Sequence, residues 1–233
     1  MKKLLLSKER GLIVEFGQRL IVRGLTSGTG GNLSIVQRRK GLVAISPSGL
    51  DYFDTRPEDV VVVDLTGRVV EGRHPPSSEV AIHTGLYALR ADVGAVVHTH
   101  STYATTFACL QREIPASHYL VGFCGPKVPV AAYATYGTSR LADHVTAAME
   151  SYNAVLMANH GLVAVGGHIA DALATAEAVE FAARVHYQCL NIGDPVILPD
   201  QEMATVIRKF KDYGAPTQKP GTTSPKKSGA RGT

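Results

Sequence analysis

Three histidines stand where a chain could assemble a metal site. In "VVHTHSTYATTF", residues 96–107, His98 and His100 close a β-branched apolar run with Thr99 between them. Side chains alternate along a strand, so the two imidazoles project to one face and Thr99 to the other. A third, His160, occurs in "ANHGLVAVG", after an apolar run and before Gly161, where the chain can turn sharply and leave the ring at a sheet edge. Singly, each has an ordinary reading as a hydrogen-bonded core or rim histidine. Jointly, three imidazoles at strand termini fit a catalytic zinc site with a position left open. Cys109, Cys124 and Cys189 form no CxxC pair and are odd in number, so any metal must take nitrogen and oxygen ligands.

Such a metal usually works beside a carboxylate, and Glu79 is the candidate, expected in the first turn of a helix after "PPSS". An acid there is also a plain helix N-terminal residue, stabilised by the helix dipole. His83 lies one turn further on the same face, placed to hydrogen-bond Glu79. His74, His118, His144, His168 and His186 lack a comparable setting and read as structural or surface residues.

"TSGTGGNLS", residues 26–34, is neither a Walker A loop nor GxGxxG after a strand. Its glycines with Thr29, Asn32 and Ser34 nevertheless expose backbone N–H groups and polar side chains in a concave turn, a way to hold phosphate without cations. "SPSG" at 46–49 and Ser77 with Ser78 at a helix start offer the same chemistry. Each alone is a common turn or cap. Together, in a neutral body beside a metal site, they point to a small phosphorylated substrate.

The elements that must position these groups follow from periodicity. A helix over 8–23 stops at Gly24, and hairpins are expected at 33–46 and 61–70. A helix over 77–90 leads to the strand ending in His98 and His100. A helix to about Leu110, a strand at 128–132, a helix at 138–151, a strand at 154–158, a long helix at 168–190 and an amphipathic helix at 200–214 follow. Early hairpins and later helices predict an α/β sandwich with a largely antiparallel sheet flanked by helices.

The 233 residues are 45% hydrophobic, enough for one well-buried domain. Lys219, Lys226, Lys227 and Arg231 account for the whole net charge of +4, and they lie in a Pro/Gly/Ser/Thr-rich tail with no acid. A domain over 1–213 with a disordered basic tail at 214–233 is expected, and a neutral body argues against nucleic acid. Three leucines after "MKK" fall short of a signal sequence and no run reaches the ~20 apolar residues of a membrane span, so a cytoplasmic location is expected.

In order, "GTGGN", "SPSG", "PPSSE", "HTH", "HY" at 118–119, "YATYGT" at 133–138, "NHG" and "FKDYG" resemble the class II aldolase family over about residues 8–214. The resemblance implies an α/β sandwich, a ring-shaped homotetramer and active sites at subunit boundaries. It implies zinc, or another divalent cation such as Mn2+ or Co2+, on His98, His100 and His160, with Glu79 as catalytic acid and base and as a resting-state ligand. Phosphate contacts are implied for Gly28, Thr29, Asn32, Ser48, Gly49, Ser77 and Ser78. Tyr119 matches a tyrosine that reaches a neighbouring subunit's site, and Tyr213 one on the C-terminal segment.

The implied reaction splits a ketose 1-phosphate, such as L-fuculose 1-phosphate or a 5-deoxy- or 5-methylthio-pentulose 1-phosphate, into dihydroxyacetone phosphate and an aldehyde. Within the superfamily, sugar-phosphate 4-epimerases have aspartate in the "SSE" position, whereas a methylthioribulose 1-phosphate dehydratase branch keeps glutamate. A non-catalytic adducin-like module is the alternative of another class, disfavoured by the retained histidines and Glu79. Tyr136 and the loop "VGFCGPKV" depart from one branch of the family and are expected to border the aldehyde end.

Overall fold

The computed structural model describes residues 4–212; Tyr213 and the expected tail at 214–233 lie outside them. The order is α1 (Ser7–Val22), β1 (Asn32–Gln37), β2 (Leu42–Ile45), β3 (Val61–Asp64), β4 (Val69–Glu71), α2 (Val80–Leu89), β5 (Ala95–Thr99) and α3 (Thr102–Cys109), continuing through β6 (Val130–Ala131), α4 (Ser139–Ala148), β7 (Ala154–Met157), β8 (Gly161–Gly166), α5 (Ile169–Ile192) and α6 (Asp200–Asp212). The strands form one eight-stranded sheet in the order β4-β3-β2-β1-β5-β8-β7-β6. Every pairing is antiparallel except β6 with β7. The expected largely antiparallel α/β sandwich is the fold observed.

Strand alternation divides the core between two sheet faces. Leu33, Ala95, Val97 and Leu162 pack towards α1 and α5, while Val43, Val96, Val155 and Val163 pack towards Ile82 and Leu86 of α2 and Leu141 and Val145 of α4. His98 shares the face of Val96, beneath α2.

The central strand β8 is absent from the sequence reading. Buried on both faces, "GLVAVG" shows no alternation and is bracketed by glycines. The helix expected from 77 begins at Val80, with Glu79 at its N-cap and Ser77 accepting from the Glu79 N–H (3.2 Å). The strand expected at 128–132 is two residues long.

Candidate active site

Sheet register brings the histidines together. Asn32 at the start of β1 pairs with His98 in β5, and His98 pairs with Val163 in β8. His160 sits in the hairpin between β7 and β8, whose turn is made by Asn159 at φ 55. Gly161 has a different task from the turn expected of it. A Cβ there would press into the Thr99 carbonyl and come within 3.0 Å of the His100 ring, so only glycine lets the hairpin approach. On the other side Gly31, at φ +71, lies against the His98 carbonyl, where a side chain would collide.

The three rings meet with centroids 4.7–5.3 Å apart. One ligand atom from each lies within 4.8 Å of the others. His98 Nδ1 donates to the Leu162 carbonyl at 2.9 Å, which fixes the tautomer and leaves Nε2 as a lone pair, 3.0 Å from His100 Nε2. Glu79 Oε2 is 3.3 Å from His98 Nε2, and Oε1 is 3.5 Å from His160 Nε2.

Loss of water around the ring, with His98 and His160 close by, pushes His100 down to about 4, and burial likewise lowers His160. In both rings the neutral form, which a metal needs, is favoured. Burial opposes the charge on Glu79, but His98, His160 and the Asn32 amide outweigh it and hold the carboxyl below its ordinary range. A buried carboxylate oxygen, Oε1, is left without a hydrogen-bond partner. Convergent imidazole lone pairs and an orphaned carboxylate oxygen form a donor set that fits a divalent cation of zinc's chemistry.

The cleft above this cluster has a volume of 260 Å³. Its other walls are Thr29, Gly30, Gly31, Asn32, Pro47, Ser48, Gly49, Ser77 and Ser78. "SPSG" and "PPSS" are adjacent because Pro47 and Pro76 form an antiparallel bridge, with Ser48 N–H donating to Pro75 O and Ser77 N–H to Ser46 O. Tyr52 donates to Gly31 O at 2.9 Å and anchors the glycine loop. Among the described residues none of the cleft walls is a lysine or arginine.

Of the expected phosphate contacts, Gly28 lies off the cleft wall, and the Asn32 side chain is engaged with Glu79 and His83. His83 reaches Glu79 through Asn32 instead of directly. Tyr136, 68% exposed, lines the cleft. Tyr119 does not line its own chain's cleft; it is 48% exposed and stacks on His118 and Phe210. Tyr213 lies outside the described residues.

Sequence reasoning missed Glu180. Its carboxylate accepts from the N–H groups of Tyr103 (2.9 Å) and Ala104 (2.8 Å), capping α3 directly after His100 from a helix 76 residues away. Only an acid on the buried side of a long helix hinted at it.

Residues 11–187 match the Class II Aldolase and Adducin N-terminal domain family. The chain belongs to this family. A 5-deoxy-D-ribulose 1-phosphate aldolase of Bacillus thuringiensis serovar kurstaki is 51% identical over 211 residues, covering 91% of this chain and 99% of that protein. A 5-methylthioribulose-1-phosphate/5-deoxyribulose-1-phosphate aldolase of Rhodospirillum rubrum is 44% identical, covering 89% and 93%. The solved structure of an L-fuculose 1-phosphate aldolase superimposes with a TM-score of 0.88 at 45% identity, covering 89% of this chain and 98% of that one. With a named aldolase 51% identical over nearly its whole length, the chain is an enzyme, an aldolase. No helix among the described residues is long and apolar enough to cross a membrane.

Proposed function

We propose that this class II aldolase cleaves a ketose 1-phosphate between its third and fourth carbons, giving dihydroxyacetone phosphate and an aldehyde. The observation that carries the reading is the meeting of Glu79 with His98 and His160 on one wall of a cleft whose other wall includes Thr29, Ser48, Gly49, Ser77 and Ser78 and no lysine or arginine. His98, His100 and His160 would hold the cation, zinc in the first instance, with Glu79 as a resting ligand. When bound, the cation polarises the substrate carbonyl and stabilises charge left by bond cleavage.

The remaining work falls to the chain. Thr29, Ser48, Gly49, Ser77 and Ser78 hold the phosphate. Glu79 Oε1 moves the proton at the reacting carbon of the three-carbon product. Tyr119 of a neighbouring copy removes the proton from the oxygen on the fourth carbon, supported by its exposure away from its own cleft. This arrangement requires an oligomer, a homotetramer in our reading. Tyr136 borders the aldehyde end, Tyr213 is a further catalytic residue, and residues 1–213 are the catalytic unit, with 214–233 a basic extension. The relatives' names support a 5-deoxy- or 5-methylthio-pentulose 1-phosphate, with L-fuculose 1-phosphate second. Phosphorylated sugars do not cross membranes unaided, so the reaction belongs in the cytoplasm.

The test uses dihydroxyacetone phosphate alone in heavy water, where the enzyme should exchange one carbon-bound proton. Glu79→Gln should lower both exchange and cleavage by about 100 to 10,000-fold, the range for loss of a general acid or base. Exchange at the wild-type rate in Glu79→Gln with metal bound would reject Glu79 as the base. Release of dihydroxyacetone phosphate across the three ketose 1-phosphates ranks the substrates.

A further inference from the structure

Behind Glu79, on the α2 face of the sheet, lies a line of buried polar side chains with no place in the reaction just described. Asn32 Nδ2 is 2.8 Å from Glu79 Oε2, Asn32 Oδ1 is 2.6 Å from His83 Nε2, Ser34 Oγ is 2.6 Å from His83 Nδ1, and Tyr87 OH is 2.6 Å from Ser34 Oγ. All five residues are buried. Their neighbours Ile82, Leu86, Val96 and Val163 are apolar, and packing alone would be served by apolar side chains here. A buried polar group costs stability unless it is hydrogen-bonded, so a fully bonded line through an apolar layer calls for a use.

The donor inventory allows one direction with Glu79 ionised. A carboxylate only accepts, so Asn32 turns its NH2 to Glu79 and its oxygen to His83. His83 Nε2 must then carry the proton, Nδ1 accepts from Ser34, and Ser34 accepts from Tyr87. The far end is anchored as well: Arg38 donates to the carbonyls of Tyr87 (3.1 Å), Arg90 (2.6 Å) and Val93 (2.8 Å) at the end of α2. The near end occupies only Oε2, and Oε1 has no hydrogen-bond partner.

We propose that Asn32, His83, Ser34 and Tyr87 form a one-directional hydrogen-bonded strut that holds Glu79 by Oε2 and aims Oε1 at the reacting carbon. His83 and Ser34 are positioning residues in the strut and touch neither metal nor substrate. The imidazole suits the task because its two nitrogens are rigidly spaced and pass the polarity on without a torsion between them. Holding a base within a fraction of an ångström of its working position is worth a substantial rate factor, and loss of such supporting partners typically costs about 10–100-fold.

This inference rests on Glu79 being the base. The test compares wild type, Glu79→Gln, His83→Leu, His83→Gln and Ser34→Ala as metal-loaded full-length proteins. Proton exchange, cleavage kcat and KM, metal per subunit and the unfolding midpoint are measured on each. His83→Leu should lower exchange and kcat together by about 10–100-fold with KM within about twofold, because the phosphate loops are untouched. Metal content should stay at the wild-type level. His83→Gln can donate to Asn32 and accept from Ser34, and should recover most of the loss. Ser34→Ala, which frees the ring to turn over, should lower kcat by about fivefold or more, and it carries the test alone if His83→Leu does not fold.

The strut is overturned if folded His83→Leu and Ser34→Ala keep kcat within about twofold of wild type, if KM rises at unchanged kcat, or if metal content falls in step with activity. Wild-type behaviour in these two beside an inactive Glu79→Gln defeats the strut alone. Wild-type exchange in Glu79→Gln defeats the base assignment and the strut with it.

Discussion

Asn32 and Glu79, 47 residues apart in the chain, are joined by an amide-to-carboxylate hydrogen bond of 2.8 Å. Because Asn32 also pairs with His98 across the sheet, this contact ties the start of α2 to the strand that carries His98 and leads into His100.

Asn32→Asp is nearly isosteric but sets a second carboxylate against Glu79 in place of a donor. Like charges and the lost hydrogen bond both favour the protonated acid, so the Glu79 carboxyl should move upward. A base is lost as pH falls through its pKa, so the acid limb of the kcat profile should shift to higher pH, by about one unit or more. An unmoved acid limb in a folded, metal-loaded variant would contradict this.

Gly161→Ala tests how closely the β7–β8 hairpin must approach β5. The added methyl group meets the Thr99 carbonyl and the His100 ring, and relief requires moving His160 outward. Metal affinity should fall by at least about tenfold, as for loss of ligand-orienting contacts, and stability by about 1–3 kcal/mol from overpacking. Competition with a chromophoric chelator reads the first effect and denaturant unfolding the second.

Mixing subunits tests whether Tyr119 acts across a boundary. Glu79→Gln and Tyr119→Phe homo-oligomers should each cleave poorly, while Tyr119→Phe alone keeps substantial proton exchange. Co-expressed, the two should regain cleavage, since some sites then combine an intact Glu79 with an intact Tyr119 from a neighbour. No regain in verified hybrids would place both residues in one chain's site.

His83 should make stability depend on pH. Burial pushes it down to about 3 from 6.5, so in the folded protein it stays neutral while the unfolded chain takes up a proton below 6.5. Its contribution is fully present above that pH and is lost as pH falls towards 3. The slope is at most one proton, about 1.4 kcal/mol per pH unit. In metal-free protein, the unfolding free energy of wild type minus that of His83→Gln should fall between pH 6.5 and 4 and be flat above 7. A flat difference throughout would show that His83 is not held neutral.

Much of the site was legible from local patterns. Alternation along "VVHTH" placed His98 and His100 on one side, because that geometry is a property of any extended strand. The glycine and serine loops were legible because N–H-rich turns need those residue types. The partnership of Asn32 with His83 was not legible, since His83 was expected to touch Glu79 through helical spacing, and the intervening amide comes from a strand 51 residues away. Nor was the role of Gly161, which answers to steric contact with Thr99 and His100 and not to the turn beside it.

By itself the sequence determined the chemical vocabulary of this aldolase: three imidazoles at strand ends, an acid at a helix start, and glycine- and serine-rich turns without cations. Local geometry and residue chemistry suffice for that. Only the tertiary structure decided that β8 lies beside β5, that the β7–β8 hairpin brings His160 to the other two histidines, and that Oε1 of Glu79 is left free while Oε2 is held. Those outcomes depend on sheet register and on contacts between residues dozens of positions apart, which the packing of both sheet faces selects and no local window contains.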